Sequence, residues 1–106
     1  MINLTEGDIQ RILFGATFLM GNTGNKWTKK APDKENLPAY TAIYTATDKL
    51  KFSVEEGEIV YRYVSNLVAE FGYPTPSLTM YNDDPKTTFS NIKEIFNVGI
   101  NRLKAR

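Results

Sequence analysis

A chain of 106 residues, 42% of them apolar, has material for one hydrophobic core and hence one domain over residues 1–106. Its 24% charged residues and net charge of +1 lie in the globular range, outside that of disordered chains. With no histidine and no cysteine, it has no disulfides, no thiol chemistry, no imidazole base and no zinc site of the usual ligands. A net charge this close to zero supplies no general field toward phosphate and disfavours a DNA mimic, so any nucleic-acid contact has to come from a local basic patch.

The stretch Ile12 to Met20 is apolar, but Glu6, Asp8 and Arg11 precede it and no small-residue cleavage site follows, which is unlike a signal peptide. No run reaches the roughly 18–20 apolar residues that span a bilayer. Together with the absence of cysteine, which fits a reducing compartment, this points to a soluble cytoplasmic protein with no membrane contact.

Leu4-Thr5-Glu6-Gly7-Asp8-Ile9 reads as a helix start with Thr5 as N-cap and acids in the first turn. Ile9, Ile12, Leu13, Ala16 and Met20 then follow a 3.6 period, Phe14 and Phe18 widen the stripe that should face the core, and Gly21 ends it. A helix over residues 6–20 is expected.

From Gly21 to Pro38 the chain turns to Gly, Asn, Thr, Lys and Pro, which sustain neither a helix nor a strand. Loops longer than about 12–15 residues are uncommon in compact domains and are often functional. Gly21-Asn22-Thr23-Gly24-Asn25-Lys26 superficially suggests a phosphate loop. Its glycine spacing is wrong, a helix precedes it, and Trp27 stands where Ser or Thr should follow the lysine. The sharper feature is Lys26, Trp27, Lys29, Lys30 and Lys34, a basic cluster around the only tryptophan, suited to pairing phosphates and stacking a base. The competing reading folds Trp27 back onto the core and leaves the lysines solvated, with Asp33 and Glu35 diluting their charge.

Residues 39–52 are ambiguous: Tyr40, Ala42, Tyr44 and Ala46 alternate as in a strand, whereas Tyr40, Ile43, Tyr44 and Leu50 fit a helical face. The Thr and Tyr content favours a strand over 39–47, with a short antiparallel partner at 77–81. Ser53-Val54-Glu55-Glu56 is a capping box opening a second helix over 54–71. Its stripe, Ile59, Val60, Tyr63, Val64, Leu67, Val68 and Phe71, ends at the stop signal Gly72-Tyr73-Pro74.

Asn82-Asp83-Asp84-Pro85 is turn chemistry, leading into a third helix over 86–104 capped by Asp84, Thr87 or Thr88. Phe89, Ile92, Ile95, Phe96, Ile100 and Leu103 line its apolar face, with Gly99 on the same side. Lys93, Arg102, Lys104 and Arg106 make a second basic group.

The expected class is therefore α+β, three helices with a minor two-stranded antiparallel element, and an all-α bundle is the alternative if residues 39–50 are helical. The acids Glu55, Glu56, Glu58, Asp83 and Asp84 lack EF-hand spacing and are accounted for by caps and helix dipoles, so no metal and no cofactor are expected. Helices two and three stand too far apart for a helix-turn-helix. Tyr61 projects away from its helix's main stripe and is either a contact surface or packing against the strand pair.

The reading that follows is a non-catalytic protein-binding or regulatory module, acting through the loop (Lys26, Trp27, Lys29, Lys30) and tyrosines such as Tyr61, with another protein as partner. Nucleic-acid binding through loop 26–34 and the basic C-terminal helix (Lys34, Lys93, Arg102, Lys104, Arg106) is the alternative, and a metal-dependent enzyme ranks last. A homodimer through the Gly99 face is compatible with the sequence but not required by it. Small, Asn- and Lys-rich chains of this kind are frequent among phage and mobile-element products.

Overall fold

The computed structural model describes residues 4–21, 23–29, 32 and 35–104, Lys104 by its backbone alone. Among the described residues five helices follow in order: α1 (Glu6–Met20), α2 (Ala39–Lys49), α3 (Val54–Glu70), α4 (Leu78–Asp83) and α5 (Phe89–Lys104). Among the described residues the one β interaction is an isolated bridge between Trp27 and Leu37.

The expected α+β class and its two-stranded element are thereby overturned, and the fold is the all-α alternative. Residues 39–47 belong to α2, where Ala39, Ala42, Ile43, Ala46 and Thr47 are all buried, the i, i+3, i+4, i+7 spacing of a helix face. Three of these are alanine, the best helix former. The Tyr–Ala alternation reflects two tyrosines four residues apart on the helix flank, Tyr44 stacking on Tyr61 with ring centroids 6.1 Å apart. The buried Thr47 hydroxyl is satisfied within the helix by donating to the Ile43 carbonyl at 2.7 Å. Residues 78–81 are likewise helical, in α4, which Ser77 caps by accepting from the Met80 amide.

Reciprocal caps set the other helix starts. Thr5 Oγ1 accepts from the Asp8 amide at 3.0 Å while the Asp8 carboxylate accepts from the Thr5 amide at 3.1 Å. That Thr5 amide, opposed by desolvation and helped by the Thr5 hydroxyl and Arg11, holds the Asp8 carboxyl below its ordinary value. The cap is therefore fully formed above the unfolded carboxylate value and weakens only as pH falls through the lowered native one. Ser53 and Glu56 make the same box on α3. At the far end of α3, Gly72 (φ 98°) lets the Tyr73 amide reach the Val68 carbonyl and the Gly72 amide that of Ala69, a Schellman ending. α5 begins at Phe89 rather than at 86 because Thr88 and Asn91 cap each other, each side chain accepting from the other's amide at 3.2 and 2.8 Å.

α1 packs on α2 and α5, α3 packs on the same two helices, and α4 lies across α2 and α3. Between them Ile12, Leu13, Met20, Ile43, Val60, Val64, Val68, Leu78, Ile92, Ile95 and Phe96 are fully buried. Gly99 is used inside the chain. A Cβ there would stand 3.1 Å from Leu67 Cδ1, and the Gly99 carbonyl accepts from the Tyr63 hydroxyl at 2.7 Å. The Gly99 side of α5 is thus covered by α3 and is not a surface for a second copy.

If residue 45 stands in a helix interior, Thr45→Pro removes a backbone hydrogen bond and drives the proline ring into the preceding turn. The expected loss is about 3 kcal/mol or more, read from the urea midpoint by far-UV circular dichroism. A cost below about 1 kcal/mol would contradict α2.

Candidate interaction site

The loop after α1 is built onto the helices by a short series of hydrogen bonds. Gly24, at φ 78°, sits against the Phe89 ring, the Lys26 amide donates to the Met20 carbonyl, and the Leu37 amide returns to the Lys26 carbonyl at 2.7 Å. This brings Trp27 onto the N-terminus of α5 with its ring 5.9 Å from that of Phe89. Its indole Nε1 donates to Asn82 Oδ1 at 2.7 Å.

Asn82 is fully buried and joins three parts of the chain. Besides Trp27, its Oδ1 accepts from the Ala39 amide at the start of α2 (3.0 Å), and its Nδ2 donates to the Thr28 carbonyl (3.1 Å). Both lone pairs and at least one N–H of the carboxamide are thus engaged, as burial demands. Lys29 is also held: its Nζ donates to the Asp84 carbonyl at the C-cap of α4 at 2.6 Å and lies 6.0 Å from the Trp27 ring centre, where a cation complements the helix dipole.

Of the residues singled out in the sequence, Trp27 and Lys29 therefore anchor the loop, and Lys26 is exposed beside them. Lys30, Lys34 and Arg106 lie outside the described residues, and Lys104 is described by its backbone alone. Lys93 is half-buried on α5. Arg102 Nη1 donates to both carboxylate oxygens of Glu70, at 2.8 and 2.9 Å, and ties α5 to the end of α3; being exposed, this pair contributes at most about 1 kcal/mol. The loop meets α5 at Phe89, whereas Arg102 stands about 20 Å farther along the helix at the α-helical rise per residue. Arg102 and the loop base therefore stand toward opposite ends of α5.

Tyr61 is half-buried where α2, α3 and α4 meet, its hydroxyl 2.7 Å from Thr79 Oγ1. Burial pushes its phenol up, but hydrogen bonds with Thr79, Ser77 and Ser65 outweigh that and leave it below the ordinary value. It packs against helices, there being no strand pair to receive it. Among the acids, Glu56 is occupied by its cap, Glu58 pairs with Arg62, and Asp84 accepts from the Lys86 amide and the Tyr73 hydroxyl. Among the described residues no three acids converge.

The surface that sequence reasoning missed lies on α1. Phe18 is 79% exposed, Phe14 52%, and Leu50, at the end of α2, 37%. Phe18 walls a groove of about 260 Å³ between α1 and α2, lined also by Arg11, Gly15, Leu19, Ala46, Lys49 and Leu50. A Cβ on Gly15 would stand 3.3 Å from that of Ala46, so these two small residues set the close approach of the helices at the groove floor. Leu19 and Lys49 continue into a second pocket of about 640 Å³ against the loop base, of mixed lining, where Asn25, Lys26, Glu35, Asn36, Leu37 and Thr45 join them. The signal was present in the sequence: at about 100° per residue, Phe18 falls about 140° around the helix from Leu13 and so outside a core-facing arc.

Comparison with protein-family models, with curated proteins and with solved structures finds no match for this chain. No helix among the described residues is long and apolar enough to cross a membrane.

Asn82→Ala should leave the Trp27 indole and the Ala39 amide without their buried acceptor, a loss of about 2–4 kcal/mol in urea unfolding. Trp27 fluorescence should shift to the red in the folded variant as the indole loosens. Gly24→Ala combines a left-handed backbone with a Cβ 2.5 Å from Phe89 Cγ and should cost about 1–3 kcal/mol; a neutral result would place Gly24 away from Phe89.

Proposed function

We propose that this protein is a binding module for another protein, acting without catalysis through the outer face of α1 and the adjoining end of α2. The observation that carries this reading is Phe18, a phenylalanine left 79% exposed beside an apolar groove. Single exposed apolar residues are ordinary, whereas an apolar wall, floor and neighbour in one concave patch mark interaction sites. The loop contributes through Lys26 in the neighbouring pocket. Trp27 and Tyr61 act by holding the parts of the fold in place.

Nucleic acid stands behind this reading because the ring and cation best suited to it are occupied. The Trp27 indole is bonded to Asn82 and packed on Phe89, and Lys29 is bonded to the Asp84 carbonyl.

A photo-crosslinking amino acid placed at position 18, in the cells that make the protein, should give a discrete protein adduct identified by mass spectrometry. The same group at exposed Asn97 on α5 should give none. Absence of a position-18 protein adduct, together with oligonucleotide binding that weakens steeply with salt and ignores Phe18→Glu, would replace protein by nucleic acid as the ligand.

A further inference from the structure

We propose that the groove between α1 and α2 takes an amphipathic helical segment of the partner, apolar along one stripe and acidic along its flanks. This rests on the protein-binding reading and specifies the chemistry of what is bound.

The occupant's shape follows from the walls. A groove between two helices with small residues at its floor receives side chains spaced i, i+4, i+7 along another helix. From Arg11 to Leu19 the groove follows α1 for about 12 Å, close to the span of three such anchors. With no strand among the described residues beyond the Trp27–Leu37 bridge, those residues present no sheet edge for an extended peptide to join.

The occupant's charge follows from the rim. Arg11 and Lys49 border the apolar groove, Lys26 and Lys49 border the mixed pocket that continues it, and among the described residues of the two linings Glu35 is the one acid. Arg11 is already paired with Asp8 and lies over the Phe52 ring, so Lys49 and Lys26 remain to select acidic flanks. The same rim disfavours a second copy of this chain, since a twofold contact through the groove sets these cations against themselves. It is also recessed, whereas a bilayer surface is met by a convex apolar face.

The test uses two fluorescein-labelled peptides of about fourteen residues with leucines at i, i+4 and i+7, one flanked by glutamates and one by lysines, titrated into the full chain by anisotropy. The glutamate peptide should bind in the micromolar range and the lysine peptide at least about tenfold more weakly. Phe18→Glu and Lys49→Glu, both at exposed positions and expected to leave the circular dichroism unchanged, should each weaken the glutamate peptide by about tenfold or more. Lys49→Glu should also narrow or reverse the preference between the two peptides. Equal binding of both, binding of neither, or indifference to Phe18→Glu overturns the proposal. If a position-18 protein adduct forms all the same, the protein-binding reading survives without it; if no adduct forms either, both fall. Wild-type self-association in sedimentation that Phe18→Glu abolishes would make a second copy the occupant, and Phe18-dependent sedimentation with phosphatidylserine vesicles would make it a membrane; either result overturns the acidic helix.

Discussion

The carboxamide of Asn82 is where three otherwise separate parts of the chain are held to one another. α2 begins after Pro38, which makes no side-chain cap hydrogen bond, so the first amides of this helix need an acceptor from elsewhere. Asn82 Oδ1 supplies it to Ala39 and at the same time accepts from the Trp27 indole, while Nδ2 reaches the Thr28 carbonyl. One buried side chain on the short helix α4 thus caps a helix and fixes both ends of the Trp27–Thr28 turn of the loop. A buried amide of this kind stabilises only when its bonds are made and costs about 1–3 kcal/mol for each partner orphaned. The loop, α2 and α4 are therefore coupled, and a change at any one of them is felt at the other two.

The same dependence decides what could be read from the sequence. α1 and α3 were legible because their instructions are local: Thr5 with Asp8, Ser53 with Glu56, and Gly72 at the end of α3 all act within five residues. α2 was not, because its cap comes from Asn82, far along the chain, and because four residues of Tyr–Ala alternation satisfy a two-residue period as well as a helical flank. α4 has six residues, too few to be stable alone. It is held by distant groups: Ser65 Oγ accepts from the buried Leu78 amide, Tyr61 meets Thr79, and the Tyr73 hydroxyl shares its one proton between the Met80 carbonyl and the Asp84 carboxylate. Propensity assigned Ser77 to Tyr81 to a strand, and tertiary contacts overrode it.

The candidate site was legible in part. Lys26 is singled out for its charge, and it borders a pocket; Trp27 is singled out beside it, and its indole is bonded to Asn82 and packed on Phe89. Phe14 and Phe18 were assigned to the core because aromatic residues widen any apolar stripe. Their angular position on α1 argues otherwise, and the opposite side of the helix already carries Ile12, Leu13, Ala16 and Met20, all fully buried. What no local pattern encodes is the juxtaposition of Phe18 with Lys49 and Leu50, which depends on how α1 crosses α2 at Gly15 and Ala46.

The anchoring of the loop and the exposed face of α1 are linked by the pocket they share. Trp27 fixed on Asn82, and Leu37 bonded back to Lys26, hold the loop base against the ends of α1 and α2, so that Lys26 stands on the same pocket as Lys49. A cation on a free loop loses conformational entropy when it meets a ligand, and one on an anchored base loses less. Phe18, for its part, adds little to folding while it remains in water; burying such a side chain is worth about 1.5–3 kcal/mol, and that free energy is available to whatever covers it. On the proposed reading, pairing two such faces is disfavoured because it sets the nearby lysines in opposition. On the same proposed reading, an apolar wall left out of the core, small residues at the floor beside it and the cations Lys26 and Lys49 at the rim favour an acidic, amphipathic ligand over a copy of the same face.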